Sequence, residues 1–260
     1  MDAVLYLLEK GVDANNIYWI SPNDAWLFNR AALQVGYVAQ RVLEHGEQLK
    51  KAKTVDDVFL AIEKTGGIFR IDENVVPQKW RCGTISPEEL EQLRQVKNII
   101  RKGRVNRIST TAIELQKGTI PYMGRSLFVD CSANGLSRRP DVPIFSEGKI
   151  TLQSILFCQQ VFSAAIIAKL ALTNISDQKR NLIMPVPHPD YKEDWPSAIS
   201  VSIGNLQIVH CHFPMWMFRS RLNFMSHEPF LQYLWYSTKA LFLRPGINKA
   251  AKRIDGRQIK

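Results

Sequence analysis

The 260 residues predict an α/β fold with a mainly helical C-terminal region, and three observations carry that expectation. The opening, MDAVLYLLEKGVDANNIYWISPND, reads as helix, turn and short strand. Ser86-Pro87-Glu88-Glu89 is a helix start in the middle of the chain: a capping box with proline at the first helical position. After residue 150 the apolar residues come in long runs of helical length, separated by a proline-rich crossing.

In the first helix Val4, Leu5, Leu7 and Leu8 form an apolar face, and Gly11 suits the left-handed position after its end. Ile17-Tyr18-Trp19-Ile20 is an aromatic and β-branched run closed by Ser21-Pro22-Asn23. A helix feeding such a strand is the second half of a β-α-β unit, which points to a parallel sheet. That helix starts at residue 1 with no capping side chain, so the expectation is a chain that begins partway through a domain; a short helix whose free N–H groups are met by water is the alternative. Residues 24–64 read as mostly helical, with Thr54 and Asp57 capping VDDVFLAIEK and Gly66-Gly67 closing it. The helix after Ser86 should run to about Asn98. Strands are expected at residues 103–108, 112–115 and 126–130, with a turn at Gln116-Lys117-Gly118. A long helix is expected over residues 151–172, a strand at Gln207-Ile208-Val209-His210, and a helix over residues 229–243.

Composition narrows the class. With 45% hydrophobic and 22% charged residues the chain is ordinary globular protein, with room for one large or two small cores. The formal charge is +10, and from Lys239 onward seven basic residues face a single acid, Asp255. No nucleic-acid motif accompanies this tail, so a solvated, frayed terminus is expected and no nucleic-acid partner. Cys82, Cys131, Cys158 and Cys211 form no C-x-x-C pair, and reduced thiols in a cytoplasmic protein are the default. The longest uncharged stretch, residues 150–168, holds Thr151, Gln153, Ser154, Gln159, Gln160 and Ser163; it suits a buried helix better than a membrane span.

Three stretches, in order, are similar to FAD/NAD(P)-binding flavoproteins related to the flavin monooxygenases and the pyridine nucleotide-disulfide oxidoreductases. They are GVDANNIYWISPNDAWLFNRA at residues 11–31, Gly103-Arg104-Val105 with Ile113-Glu114-Leu115, and Phe128-Val129-Asp130-Cys131-Ser132-Ala133-Asn134-Gly135-Leu136. The resemblance spans about residues 1–190. It implies a partial Rossmann-like dinucleotide-binding core: residues 1–125 as part of an NAD(P)-binding domain with a helical insertion, residues 126–190 as the return to an FAD-binding domain, and residues 191–260 as a helical end. FAD and NADP are the implied cofactors, with hydride passing from NADPH to the flavin. The departure is that no G-x-G-x-x-G turn occurs, although such turns bring backbone N–H groups to a pyrophosphate. The alternative is a truncated or degenerate scaffold that acts as a binding protein.

At the end of the first strand Ser21, Asn23, Trp26 and Arg30 are the residues placed near an adenosine ribose, and small polar and basic groups there admit a 2′-phosphate. An ordinary capping loop, with Asp24 capping a helix that holds Trp26 and Leu27, accounts for them equally well. By the resemblance, Asp130 accepts a ribityl hydroxyl, and the backbone around Cys131, Ser132, Ala133, Asn134 and Gly135 faces the flavin; a strand-ending turn is the alternative. His210 and His212 would share one face of a strand, but a structural metal site needs further ligands and none is near in sequence. The aromatic stretch from Phe213 to Phe242, with Arg219 and Arg221, either packs as core or covers a substrate pocket or membrane surface; core is expected. No catalytic acid or base stands out, and the small-molecule substrate is unassigned.

Overall fold

The computed structural model describes residues 1–34, 36–122, 124–133, 140–186, 189–223 and 228–255. It is mixed α/β, with helices outweighing several small sheets. In chain order the elements are α1 (Asp2–Glu9), β1 (Trp19–Ile20), β2 (Ala25–Asn29), α2 (Val38–Lys51), α3 (Val55–Lys64), β3 (Ile68–Phe69), β4 (Lys79–Ile85), α4 (Pro87–Gln95), β5 (Ile99–Ile100), β6 (Val105–Ile108), β7 (Ala112–Leu115), β8 (Gly118–Pro121), β9 (Phe145–Ser146) and β10 (Lys149–Ile150). Then follow α5 (Gln160–Ala171), α6 (Asp177–Arg180), α7 (Trp195–His212), α8 (Pro214–Arg219) and α9 (Phe230–Asp255). They form two compact units, whose boundaries fall inside β2 and β4.

The first unit comprises Met1–Trp26, Arg70–Lys79 and Ile85–Arg139. Gly11 takes φ +81° after α1, as its position predicts, and Ser86 and Glu89 form the reciprocal capping box that starts α4. β1 lies parallel to β5, with Trp19 opposite Ile99 and Ile20 opposite Ile100. β6, β7 and β8 form an antiparallel meander in which Ile113 and Leu115 are the buried positions of the central strand. The expected turn at Gln116-Lys117 is therefore a hairpin into a third strand.

The second unit holds Leu27–Phe69, Trp80–Thr84 and Pro140–Lys260. Thr54 and Asp57 cap α3 reciprocally. Phe59 packs edge-on against Trp80 at 5.1 Å and Trp195 at 5.7 Å between ring centroids, and Trp80 meets Phe28 at 4.5 Å. Each fully buried indole withdraws on the order of 200 Å² from water, so these rings anchor this end of the unit. A second core gathers Phe145, Ile155, Phe162, Ile166 and Val209. The buried Lys192 ammonium is paired with Asp56 at 2.6 Å.

Several sequence expectations are corrected. Residues 25–29 are a strand, because Leu27 and Phe28 pair with Phe69 and Ile68, and pairing overrides the helical reading. Residues 207–210 lie inside α7, where burial among helices outweighs the β-branched character of Ile208 and Val209. Residues 126–130 are not a strand, and Leu127, Phe128 and Val129 are exposed. The long apolar helix starts at Gln160 and not at 151. The N–H groups of Ile155 and Leu156 both donate to Ser163 Oγ at 3.2 Å, and Phe157 turns to φ +44°, so the preceding segment is held as a turn.

As far as Asp255 the basic tail is not frayed, since α9 continues to that residue with Ile247, Ala250 and Ala251 buried; residues 256–260 lie outside the described residues. Small residues let it approach α2. A Cβ on Gly46 would stand 2.8 Å from Ile247 Cδ1, and one on Gly246 would stand 3.1 Å from Lys50. The Arg253 guanidinium donates to the Ala52 carbonyl at the end of α2.

The thiols are not all reduced. Cys82 on β4 and Cys158 before α5 form a disulfide with Cα atoms 6.7 Å apart, while Cys131 and Cys211 are free and exposed. Neither spacing nor local motif marks a pair 76 residues apart; the fold brings them together. Thiol titration of the denatured, unreduced protein should find two reactive cysteines, and four after reduction. Cys158→Ser should lower stability by about 2–4 kcal/mol in urea unfolding, because the crosslink restrains the unfolded chain.

His45 on α2 is buried, and Gly67 leaves room for its ring, since a Cβ there would lie 2.9 Å from His45 Nε2. Burial lowers its pKa to about 4; Glu44 opposes the shift and Arg41 adds to it. The unfolded chain protonates this imidazole near 6.5 and the folded chain does not. The stability it contributes is present above that value and is lost as pH falls toward 4, amounting to about 3 kcal/mol. Urea midpoints at pH 7 and pH 4.5 should differ less in His45→Gln than in the parent protein.

Candidate functional site

The parallel pair β1 and β5 ends at one edge, and two chain turns emerge there. Trp19 N–H donates to the Asn98 carbonyl at 2.9 Å and Ser21 N–H to the Ile100 carbonyl at 3.0 Å, so the residues after each strand are held side by side. In one turn Ser21 Oγ donates to the Asn23 carbonyl at 3.3 Å. In the other stands Arg101. Its Nε and Nη2 donate to the two Asp24 oxygens at 2.8 and 3.1 Å, and Asp72 lies 3.2 Å from Nη2. The Asp24 hydrogen bond raises the Arg101 pKa further above its ordinary value, so this guanidinium is a permanent cation. Asp24 caps no helix. Its carboxylate is committed to Arg101, which leaves Ser21, Asn23 and the guanidinium as the groups that define the edge.

Trp26 and Arg30 take other partners. Trp26 is fully buried, with the Arg70 guanidinium 5.7 Å above its ring. Arg30 belongs to the second unit, where its Nη2 donates to the Thr84 carbonyl at 3.5 Å. The cation that sequence reasoning missed is Arg101. A basic residue directly after the second of two short apolar strands was its signal, and it needed the β1–β5 pairing to acquire meaning.

Asp130, Cys131, Ser132 and Ala133 lie on an exposed segment of the first unit. Asp130 Oδ1 accepts the Ser132 N–H at 2.8 Å, and the Ser132 side chain and backbone hold this carboxyl below the usual range. Phe128 rests against Tyr122 at 5.3 Å. Among the described residues no hydrogen bond or ion pair joins this turn to Ser21 or Asn23. Asn134 and Gly135 lie outside the described residues. The unit also has an open groove of about 760 Å³ between α1, the Gly11 turn and α4. It sits before β1, away from the Ser21 edge, and its charged lining is acidic (Glu9, Asp13 and Glu89), which disfavours a pyrophosphate.

In the second unit the helical course of residues 207–212 changes the reading of the histidines. On a helix, positions two apart point to well-separated directions, so His210 and His212 do not share a face. His210 turns instead toward α9, where Tyr233 Oη lies 2.9 Å from its Nδ1.

No family model matches the chain, and no solved structure matches it. Two proteins described only as uncharacterized, from Mycobacterium bovis and Mycobacterium tuberculosis strain H37Rv, are each 39% identical to it over 244 residues. The match takes in 88% of this chain but 45% of each relative, so the chain spans about half the length of the curated proteins it resembles.

Proposed function

We propose that this chain is part of a flavin-dependent NAD(P)H oxidoreductase or monooxygenase-like protein, and that its first unit belongs to a Rossmann-like nicotinamide-binding domain. The observation that supports this reading best is the parallel β1–β5 pair with Ser21, Asn23 and Arg101 gathered where both strands end. Ligands of open α/β folds bind beyond the carboxyl ends of parallel strands. Hydroxyl, amide and guanidinium groups there suit an adenosine ribose bearing a 2′-phosphate, with Arg101 as the phosphate's partner.

The fit is partial. Ser21, Asn23 and Arg101 provide for the ribose end, whereas the glycine-rich cradle for a pyrophosphate is absent from the 260 residues. The proposal therefore assigns that cradle to other parts of a longer protein, in keeping with relatives about twice this length. FAD enters through the likeness of residues 128–136 alone. When bound, a flavin would accept hydride from the nicotinamide and pass electrons onward. In this reading the chain's own residues bind and orient: Arg101 neutralises phosphate, and Asp24 and Asp72 hold it in place.

The test is flavin content and NADPH oxidation by protein expressed from its whole reading frame. A yellow protein that oxidises NADPH is expected. Arg101→Ala should raise KM for NADPH by roughly tenfold or more, the worth of a charge-assisted contact, and leave NADH nearly unchanged. A colourless protein that neither binds nor oxidises NADPH would sink this reading and favour a non-catalytic binding scaffold.

A further inference from the structure

The second unit contains a partly open cavity of about 130 Å³ bordered by α2, α7, α8 and α9, with Phe162 of α5 at its wall. Its lining is chiefly apolar, with Ala39, Leu43, Ile203, Met217 and Ala240 among the contributors. A cavity of this volume accommodates a single small ring. Among the described residues the polar side chains at its wall include Gln207 and His210 from α7, Tyr233, Tyr236 and Ser237 from α9, Asn223, and Gln159 ahead of α5.

Gln207 is the informative one. Its Oε1 accepts from Arg244 Nη1 at 2.7 Å. Arginine only donates, so the amide orientation is fixed and Nε2 faces the other way. Gly204, one turn earlier on α7, leaves space for that guanidinium; a Cβ there would stand 3.1 Å from Arg244 Nη2. The Nε2 amide is buried and has no hydrogen-bond partner. Leaving a buried donor unmet is costly, and such groups normally find a partner in protein, water or ligand. His210 and Tyr233 supply no charge. Burial lowers the imidazole pKa and pushes the phenol up to about 12, so both are neutral near pH 7.

We infer that this cavity is a binding site for a small uncharged apolar molecule, of one ring or a short chain, that carries one acceptor oxygen for Gln207 Nε2. The small volume disfavours large ligands, the neutral His210–Tyr233 pair gives no counter-charge to an ion, and the unmet Gln207 donor favours a carbonyl or ether over a plain hydrocarbon. The site lies wholly within the second unit and does not depend on the nucleotide reading of the first.

The test compares cyclohexanone with methylcyclohexane, of similar shape but without the oxygen, by ligand-observed NMR on the full 260-residue chain. Saturable binding of cyclohexanone on the order of 1 mM or tighter is expected, within the limits for so few atoms. It should exceed the hydrocarbon by roughly two- to tenfold, the worth of one net hydrogen bond. Gln207→Glu keeps the acceptor for Arg244 and removes the N–H donor, so it should fold normally and lose the preference for cyclohexanone. Ala240→Phe, which fills the cavity, should abolish binding of both probes. Absence of saturable binding in the parent protein would overturn the inference, as would a preference that survives Gln207→Glu or binding that survives Ala240→Phe.

Discussion

The second unit depends on how closely α9 can approach α2 and α7. Glycines at the contacts set that distance: Gly46 receives Ile247, Gly246 receives Lys50, and Gly204 receives the Arg244 guanidinium. A side chain at Gly46 would collide with Ile247, and interiors packed at crystal-like density have little slack to absorb it. From this approach follow the burial of Ile247, Ala250 and Ala251, the fixed orientation of the Gln207 amide and the Tyr233–His210 contact. The apolar cavity is the space that remains where large and small side chains of four helices fail to fill the gap.

The first unit is organised differently, by charge at a strand edge. β1 and β5 are only two residues each, too short to be secured by their ladder alone. Arg101 bridges from the end of β5 to Asp24 after β1 and to Asp72 on a neighbouring segment, which ties three pieces of chain together. The same guanidinium is the group that the proposed reading assigns to a phosphate. In the proposed reading, a phosphate arriving there would compete with two carboxylates already in place, and nucleotide affinity would have to draw on further contacts.

Much of the local architecture was legible because short-range physics decides it. The Thr54–Asp57 and Ser86–Glu89 capping boxes, the left-handed Gly11 and the β6–β7 hairpin each depend on residues within a few positions of one another. The candidate site was legible only in part. Ser21 and Asn23 follow a strand that proves to be parallel-paired, while Trp26 is buried and Arg30 belongs to the other unit, because the chain after Asp24 becomes a strand instead of a helix.

What the sequence by itself determined is the identity and start of the well-capped helices, the mixed α/β class, and a helical C-terminal region rich in aromatic residues. Only the tertiary structure decided the rest. It chose strand for residues 25–29 and helix for residues 207–210, paired Cys82 with Cys158, ordered the basic tail as far as Asp255 along α2 and set Arg101 against Asp24. The reason is common to all of these. Each outcome depends on a partner tens to hundreds of residues away, and the energy of pairing or burial exceeds the few tenths of a kcal/mol by which local propensity separates the alternatives.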